Sequence, residues 1–525
     1  MKRLFNVSLL FLTLMNLGGC KKSDPNLEPN IIKDQYRTYY EIFVGAFSDG
    51  NDDGLGDFKG LYNRLDYLND GDPKKGKDLG IDGIWLMPIM QANSYHKYDV
   101  MDYCSIDKDY GTMEDFDKFL NEANKRGINV IIDLVINHTS NLHPWFKNAQ
   151  EDILNANYDS KYVNYYSIVK EDEKESGKTY YEIGSSGYFY EGNFSPVMPE
   201  LNMDNEDVKE EIVKIIKFWL DKGVGGFRLD AAKFVYLNDT ERNVEFWNWF
   251  MQEVRKIKED AYVVGEVWDA ELVVKDYYKA INCFDFDMSQ YNGKIAYTAN
   301  GNISVNDYVE YLDYYKNTIK KSNPNAILNP FISNHDMNRA AGYLKDEKMK
   351  MAASLYLFAS GNPFIYYGEE IAMKGSRGIN DDTDANRRLA MLWGDKDKVQ
   401  DPEGTTYNPS LQTNGTVKKQ LRNSDSLLNH YRKLIKIRNA NPEIARGDYT
   451  VIKFDDQFNF GGYLSTYNDS TIGIFHNTGE EEITIDLSKY QDYQFSNLRS
   501  FVGENKASLK GQILTIGAFT SVVLK

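Results

Sequence analysis

Gly226-Phe227-Arg228-Leu229-Asp230 reads as a short buried strand that ends by presenting a carboxylate. Arg228 and Asp230 are two apart, so on a strand they share one side, while Phe227 and Leu229 take the other. A guanidinium beside a carboxylate favours its ionised form. An ionised, oriented Asp suits nucleophilic work. The same pattern recurs downstream. Ala261-Tyr-Val-Val-Gly-Glu266 and Phe331-Ile-Ser-Asn-His335-Asp336 are apolar runs that also end in an acid. A single such carboxylate reads first as a helix cap or a structural ion pair. Three on successive apolar strands favour a shared site.

Working outward, apolar runs at 39–44, 83–87, 130–136, 225–230, 262–266, 283–287, 327–332 and 364–367 alternate with helical patterns such as 113–126, 208–222, 244–257 and 349–359. Alternating βα units predict a parallel sheet. Eight of them predict a closed (β/α)8 TIM barrel, whose site lies at the carboxyl ends of the strands. Asp230, Glu266 and Asp336 all fall at such ends. The stretch 140–205 is rich in Tyr, Asn, Ser and Gly and far too long for an ordinary βα loop. It is expected to be a subdomain inserted after strand 3, over the barrel mouth. Beyond Arg438 short strand-like runs at 450–454, 465–467, 471–476, 483–487 and 513–516 predict a C-terminal antiparallel β domain. The expected division is 36–139 with 206–445 for the barrel, 140–205 for the insert and 446–525 for the β domain.

The start of the chain reads as a targeting signal. Lys2 and Arg3 precede an apolar run, Leu4 to Leu17, which ends in Leu17-Gly18-Gly19-Cys20. This resembles the lipobox of bacterial lipoproteins. The resemblance implies a signal peptide at 1–19, lipidation of Cys20, a polar tether over 20–35 and work outside the cytoplasm, with membrane contact through the lipid anchor alone. Cys104 and Cys283 are the other cysteines, too few for a disulfide framework; buried free thiols are expected. A formal net charge of −17 without a basic run argues against nucleic acid or an anionic membrane surface as partner. The 38 tyrosines offer flat apolar faces with hydroxyls, which suit sugar rings. Oligomeric state cannot be read from these features.

The ordered motifs resemble the α-amylase family, glycoside hydrolase family 13, across about 36–525. They are Asp133-Leu-Val-Ile-Asn137-His138, Gly226-Phe-Arg228-Leu-Asp230-Ala-Ala-Lys233, Gly265-Glu266-Val-Trp268, Ser333-Asn-His335-Asp336, Met198-Pro-Glu200-Leu-Asn202 and Gly361-Asn-Pro-Phe-Ile-Tyr-Tyr-Gly-Glu369. The resemblance implies Asp230 as nucleophile, Glu266 as general acid and then base, and Asp336 as the residue gripping sugar hydroxyls. It implies substrate contacts for Tyr98, His138, Lys233 and His335, and Arg228, counted with them, would keep Asp230 ionised and aimed. Asp133 reads as structural, tying Arg228 or the neighbouring backbone. Where α-amylases often carry His after the Lys, this chain has Phe234. The loop Asp49-Gly-Asn51-Asp-Asp53-Gly-Leu55-Gly-Asp57 spaces hard oxygen ligands as Ca²⁺ requires. Its ligands would be the side chains of Asp49, Asn51, Asp53 and Asp57 with the Leu55 carbonyl. Gly60 stands where an EF-hand needs Glu, and the family's Ca²⁺ site in the first βα loop has this spacing. A further Ca²⁺ near Asn137 and Glu200 is left open, since the insert motif commonly has Asp at the latter position.

The implied substrate is a starch-like α-glucan cut internally at α-1,4 bonds. Exo-acting α-glucosidases of the family carry an Asp three residues before the stacking Tyr; here Tyr95 stands there, as if to leave a cleft open. Neopullulanase- or cyclomaltodextrinase-like and exo-acting readings remain alternatives. A lipid-anchored glucan-binding protein is the reading from a different class.

Overall fold

The structure is a computed structural model that describes residues 27–73, 76–377, 384–503 and 506–525. Cys20, the signal and the start of the tether lie outside the described residues. Seven parallel strands form one curled sheet: β1 (Tyr39–Ile42), β2 (Gly83–Leu86), β3 (Asn129–Leu134), β4 (Gly226–Leu229), β5 (Tyr262–Gly265), β6 (Asn282–Cys283) and β7 (Phe364–Tyr366). Their order is β6-β5-β4-β3-β2-β1-β7. The expected seventh barrel strand, 327–332, is extended but irregular. Its one ladder contact is an isolated bridge from Phe331 to Phe364. Proline has no N–H to donate, and Pro330 breaks the ladder there. The segment still closes the barrel. The Phe364 amide donates to the Pro330 carbonyl on one side, and the Asp285 amide to the Asn329 carbonyl on the other. Asn329 and Asp285 add a bond of their own, Asn329 N–H to Asp285 Oδ2 at 2.8 Å.

Alternation along the strands sorts their side chains between two cores. Tyr39, Trp85, Ile131, Tyr262, Val264, Phe284 and Phe364 fill the barrel interior. Tyr40, Ile42, Ile84, Leu86, Ile132, Phe227 and Leu229 face outward to the helices. Glu41, Asp133 and Arg228 lie on the inward phase of this alternation, and all three are buried. The strand register places Asp133 directly opposite Arg228. On its other side β4 packs closely against β5, and Gly226 makes that approach feasible. Its φ is +149°, and a Cβ there would stand 1.8 Å from the Tyr262 carbonyl oxygen on β5.

Between β3 and β4 the chain builds two helices, Pro144–Leu154 and Lys161–Asn164, and a three-stranded antiparallel sheet. Tyr188–Glu191 is its central strand, between Ile168–Lys170 and Tyr180–Glu182. The C-terminal part forms a five-stranded and a three-stranded antiparallel sheet around Phe454, Phe460, Phe475, Leu514 and Val522. Strands Leu498–Val502, Ala507–Lys510 and Thr520–Leu524 were not anticipated. Thr520–Leu524 is buried on both faces, so it lacks the alternation that marks a strand in sequence. Among the described residues Cys104 and Cys283 are both free, but Cys104 is exposed, in a turn after a short strand, contrary to the buried thiol expected. Among the described residues no helix is long and apolar enough to cross a membrane.

Candidate active site

A cavity of about 670 Å³ opens beside the carboxyl ends of β4 and β5. Asp230, Glu266 and Asp336 line it, together with Tyr98, His138 and Lys233. The three acids were named from separate motifs, and the barrel brings them into one space.

Arg228 organises the floor. Its Nη1 donates to both carboxylate oxygens of Asp133, at 2.8 and 3.0 Å, and to Asp230 Oδ1 at 2.7 Å. Its Nη2 lies 3.0 Å from Glu266 Oε2. One buried guanidinium therefore spans all three carboxyls. A planar fork does this where a point charge could not. Ala231 takes a positive φ of 48° immediately after Asp230, and its amide donates to Glu266 Oε2 at 3.1 Å. Backbone strain in a non-Gly residue at this point fits an over-determined site. Burial raises the Glu266 pKa; Arg228 opposes that, and the charges of Asp230 and Asp336 reinforce it.

Asp336 is held differently. Its Oδ2 lies 2.9 Å from His335 Nε2, and its Oδ1 accepts from Arg388 Nη2 at 2.8 Å. Burial alone would raise this carboxyl, but His335 and Arg388 outweigh it and hold it well below the ordinary carboxylate range. His335 Nδ1 meets Glu41 Oε1 at 2.5 Å. Burial would lower the imidazole's pKa, yet Asp336 and Glu41 push it up to about 9. His335 is therefore cationic at neutral pH, with both nitrogens donating. Tyr98 stacks on its ring, with centroids 5.5 Å apart, and shares its hydroxyl between His335 and Asp133. The fold sets Tyr98 through Lys97, which has a φ of +66° and a buried ammonium 3.1 Å from Asp107 and 2.8 Å from Asp109.

Arg228, expected to keep Asp230 ionised and aimed and counted among the substrate residues, makes its contacts with Asp133, Asp230 and Glu266. His335, expected at a sugar hydroxyl, meets Glu41, Asp336 and the Tyr98 hydroxyl. Neither side chain lines the cavity. Lys233 lines the cavity, but its ammonium donates to the Trp268 carbonyl at 2.8 Å and to Asp269 at 3.0 Å. His138 is buried, which lowers its pKa, and its Nε2 faces the Tyr98 carbonyl at 3.2 Å.

Sequence reasoning missed Glu41, Arg388, Phe194 and Asp384. Glu41 carried a signal, as a charge inside the wholly apolar surroundings of Tyr39–Ile42. Arg388 carried none, since the stretch before it has no periodicity. Phe194 is 45% exposed and Trp268 41% exposed, and both line the cavity. Trp268 stacks on Phe286 beneath it.

In the Asp49–Asp57 loop, Asp49 accepts the amides of Asn51, Asp52 and Gly54, and Asp53 accepts that of Leu55. Asp57 caps the following helix through Gly60. Among the described residues no three His, Cys, Asp or Glu side chains form a metal-holding cluster. The expected set also counts an amide oxygen and a backbone carbonyl, which fall outside that group of residue types. Asp57 is buried, and burial together with the charges of Asp49 and Asp53 raises its pKa. Among the described residues none of the three forms an ion pair. Their oxygens accept backbone amides but meet no side-chain cation among the described residues, and three such carboxyls in one loop fit a Ca²⁺ ion. At the other site left open, the Glu200 carboxyl accepts from the Asn193 amide, and the Asn137 amide faces His138 Nδ1.

Comparison with known proteins gives one consistent picture. Residues 41–447 match the model of the alpha amylase catalytic domain. The chain is 36% identical over 498 residues to "Alpha-amylase 3" of Dictyoglomus thermophilum, covering 93% of this chain and 92% of that protein. It is 31% identical over 471 residues to a 4-alpha-glucanotransferase of Thermotoga maritima, covering 87% and 98%. Among solved structures, Eubacterium rectale Amy13B superposes with a TM-score of 0.88 at 38% identity, covering 97% of this chain and 98% of that one.

Proposed function

Since the chain belongs to the α-amylase family of glycoside hydrolases, we propose that it cleaves internal α-1,4-glucosidic bonds of starch-like glucans with retention of configuration. The observation that carries this reading is the single Arg228 fork holding Asp230 and Glu266 at one cavity. Retaining chemistry needs its two carboxyls only about 5–5.5 Å apart, against about 6.5–9.5 Å for inversion. Two acids on one guanidinium fit the shorter spacing.

In this mechanism Asp230 attacks the anomeric carbon while Glu266 gives its proton to the departing glycosidic oxygen. The glycosyl–Asp230 ester is then opened by a water that Glu266 deprotonates, so the proton returns to its starting site. The raised pKa of Glu266 keeps the acid form available for the first step. Asp336, held ionised by His335 and Arg388, would bind sugar hydroxyls. Tyr98 would stack under the ring being cleaved, with His138 beside it.

Tyr95 supports the endo reading. Its hydroxyl accepts from Arg388 Nη1 at 3.1 Å, so a neutral phenol stands where a carboxylate would form a closing ion pair. The glucanotransferase relative keeps transfer to a second sugar as an alternative fate of the intermediate. The Asp49–Asp57 loop would hold a structural Ca²⁺ through Asp49, Asn51, Asp53, Leu55 and Asp57. The ion would supply stability there and take no part in bond cleavage. Lipidation at Cys20 would tether the enzyme to a bacterial membrane, facing outside the cytoplasm.

The test is the product time course from amylose and from an end-blocked maltoheptaoside. Early mid-length products and cleavage of the blocked substrate support the reading. Glucose alone, with the blocked substrate untouched, refutes it. A Cys20→Ala variant should appear in the soluble fraction; unchanged membrane association counts against the anchor.

A further inference from the structure

The cavity wall formed by Phe194 and Met198 belongs to a loop with an unusual base. The loop leaves the sheet at Glu191 and returns at Glu200, whose amide donates to the Glu191 carbonyl at 2.9 Å. Both carboxyls fold inward and are buried. They share Asn193. Its amide donates to Glu200 Oε1 at 3.0 Å, and its Nδ2 to Glu191 Oε1 at 2.7 Å. Asn193 Oδ1 in turn accepts the Thr179 amide at 2.9 Å, which ties the loop to the neighbouring strand. Two buried carboxyls this close repel each other and lose hydration.

One cation faces them among the described residues. Lys178 Nζ lies 3.2 Å from Glu191 Oε2, with its side chain only 22% exposed. Its other partner is the exposed Glu175, at 3.3 Å. The far side of the loop meets the barrel. The Asn141 amide donates to the Val197 carbonyl, and the Thr139 amide to the Pro199 carbonyl, next to His138.

We propose that Lys178 is a positioning residue for substrate binding: its ammonium pairs with Glu191, relieves the repulsion between Glu191 and Glu200, and thereby fixes the loop that presents Phe194 and Met198 to the cavity. The inference rests on reading that cavity as the glucan site. Lys178 itself does not line it. Its removal therefore weakens the grip on a long glucan and leaves the bond-breaking groups in place, which appears as a change in KM with kcat retained.

The experiment compares Lys178→Met, Lys178→Arg and the double variant Lys178→Met/Glu191→Gln on maltoheptaose, with amide hydrogen exchange read over 179–200. Lys178→Met should raise KM about tenfold and hold kcat within about twofold, with faster exchange at Thr179, Asn193 and Glu200. Lys178→Arg should retain wild-type KM. The double variant should regain slow exchange, because Glu200 is then the one carboxyl left and the repulsion between the pair is gone. Unchanged KM and exchange in Lys178→Met overturn the proposal. So does an Arg variant as impaired as the Met variant. Should Lys178→Met not fold, the double variant measured against Lys178→Arg decides between rescue and failure. Wild-type protein inert toward maltoheptaose would sink the proposed function, while the exchange comparison still judges the role of Lys178.

Discussion

Replacing Arg228 by Lys separates charge from geometry. The guanidinium makes two contacts with Asp133, one with Asp230 and one with Glu266. A lysine ammonium keeps one positive charge, but it is a single point on a shorter reach. It can satisfy Asp133, the most buried of the three, and then fails to span Asp230 and Glu266 together. Each charge-assisted bond is worth about 1.5–3 kcal/mol. If both catalytic carboxyls lose theirs, the cost to the transition state is about 3–6 kcal/mol, a fall in kcat of about 10²–10⁴-fold. A second readout tests the direction of the electrostatics. Arg228 lowers the pKa of Glu266 against burial, so weakening that contact raises it and moves the alkaline limb of the kcat/KM profile to higher pH. The assay is steady-state hydrolysis of a chromogenic maltotrioside across pH, with thermal unfolding as the control for folding. A folded variant with kcat within threefold of wild type, or an alkaline limb moved downward, would refute the reasoning.

Other outcomes follow from the same geometry. His335 has a folded pKa of about 9, above the ordinary value of about 6.5. Its contribution to stability, at most on the order of 3 kcal/mol, is complete below about pH 6.5 and is lost as pH rises through about 9. Urea midpoints should show the wild-type advantage over Glu41→Gln shrinking across that window; a constant gap would count against it. Tyr95→Asp places a carboxylate opposite Arg388, and cleavage of an end-blocked maltoheptaoside should fall more than about tenfold relative to the unblocked sugar, since an ion pair closes the cleft. Equal loss on both substrates would argue against a gate there. Chelation should lower unfolding free energy by about 2–3 kcal/mol when Ca²⁺ had been present at about 100 times Kd. Asp53→Asn should abolish that sensitivity, and a chelator without effect on wild type would dismiss the Ca²⁺ loop.

The parts of this molecule legible in sequence are those in which chemistry and periodicity coincide. A carboxylate at the end of an apolar strand breaks a pattern, so Asp230, Glu266 and Asp336 could be picked out before any geometry. The Arg228–Asp230 contact was legible too, because residues two apart on a strand share a side. What could not be read depends on register. Asp133 was expected to tie Arg228 or the neighbouring backbone; the choice of Arg228 follows because β3 and β4 pair at those positions, and no local feature of either strand dictates that pairing. Glu41 reaches His335 across the barrel in the same way. The segment 327–332 looked like a strand by its apolar content, but Pro330 and the side-chain bonding of Asn329 and Asp285 replace the ladder. Lys233 matched a family motif, whereas the contacts of its ammonium with Trp268 and Asp269 depend on how the next loop folds back.

The order of strands also determines when the barrel can be finished. From β1 to β6 each strand pairs with a neighbour in sequence, so the sheet can grow as the polypeptide emerges from the ribosome. The other edge of β1 pairs with β7, whose residues begin at Phe364. Until that point has been synthesised, Tyr39–Ile42 keeps one row of backbone donors and acceptors unpaired, on a strand rich in apolar side chains. Such an edge is a template for pairing with another chain. At about 5–20 residues per second that exposure lasts for tens of seconds.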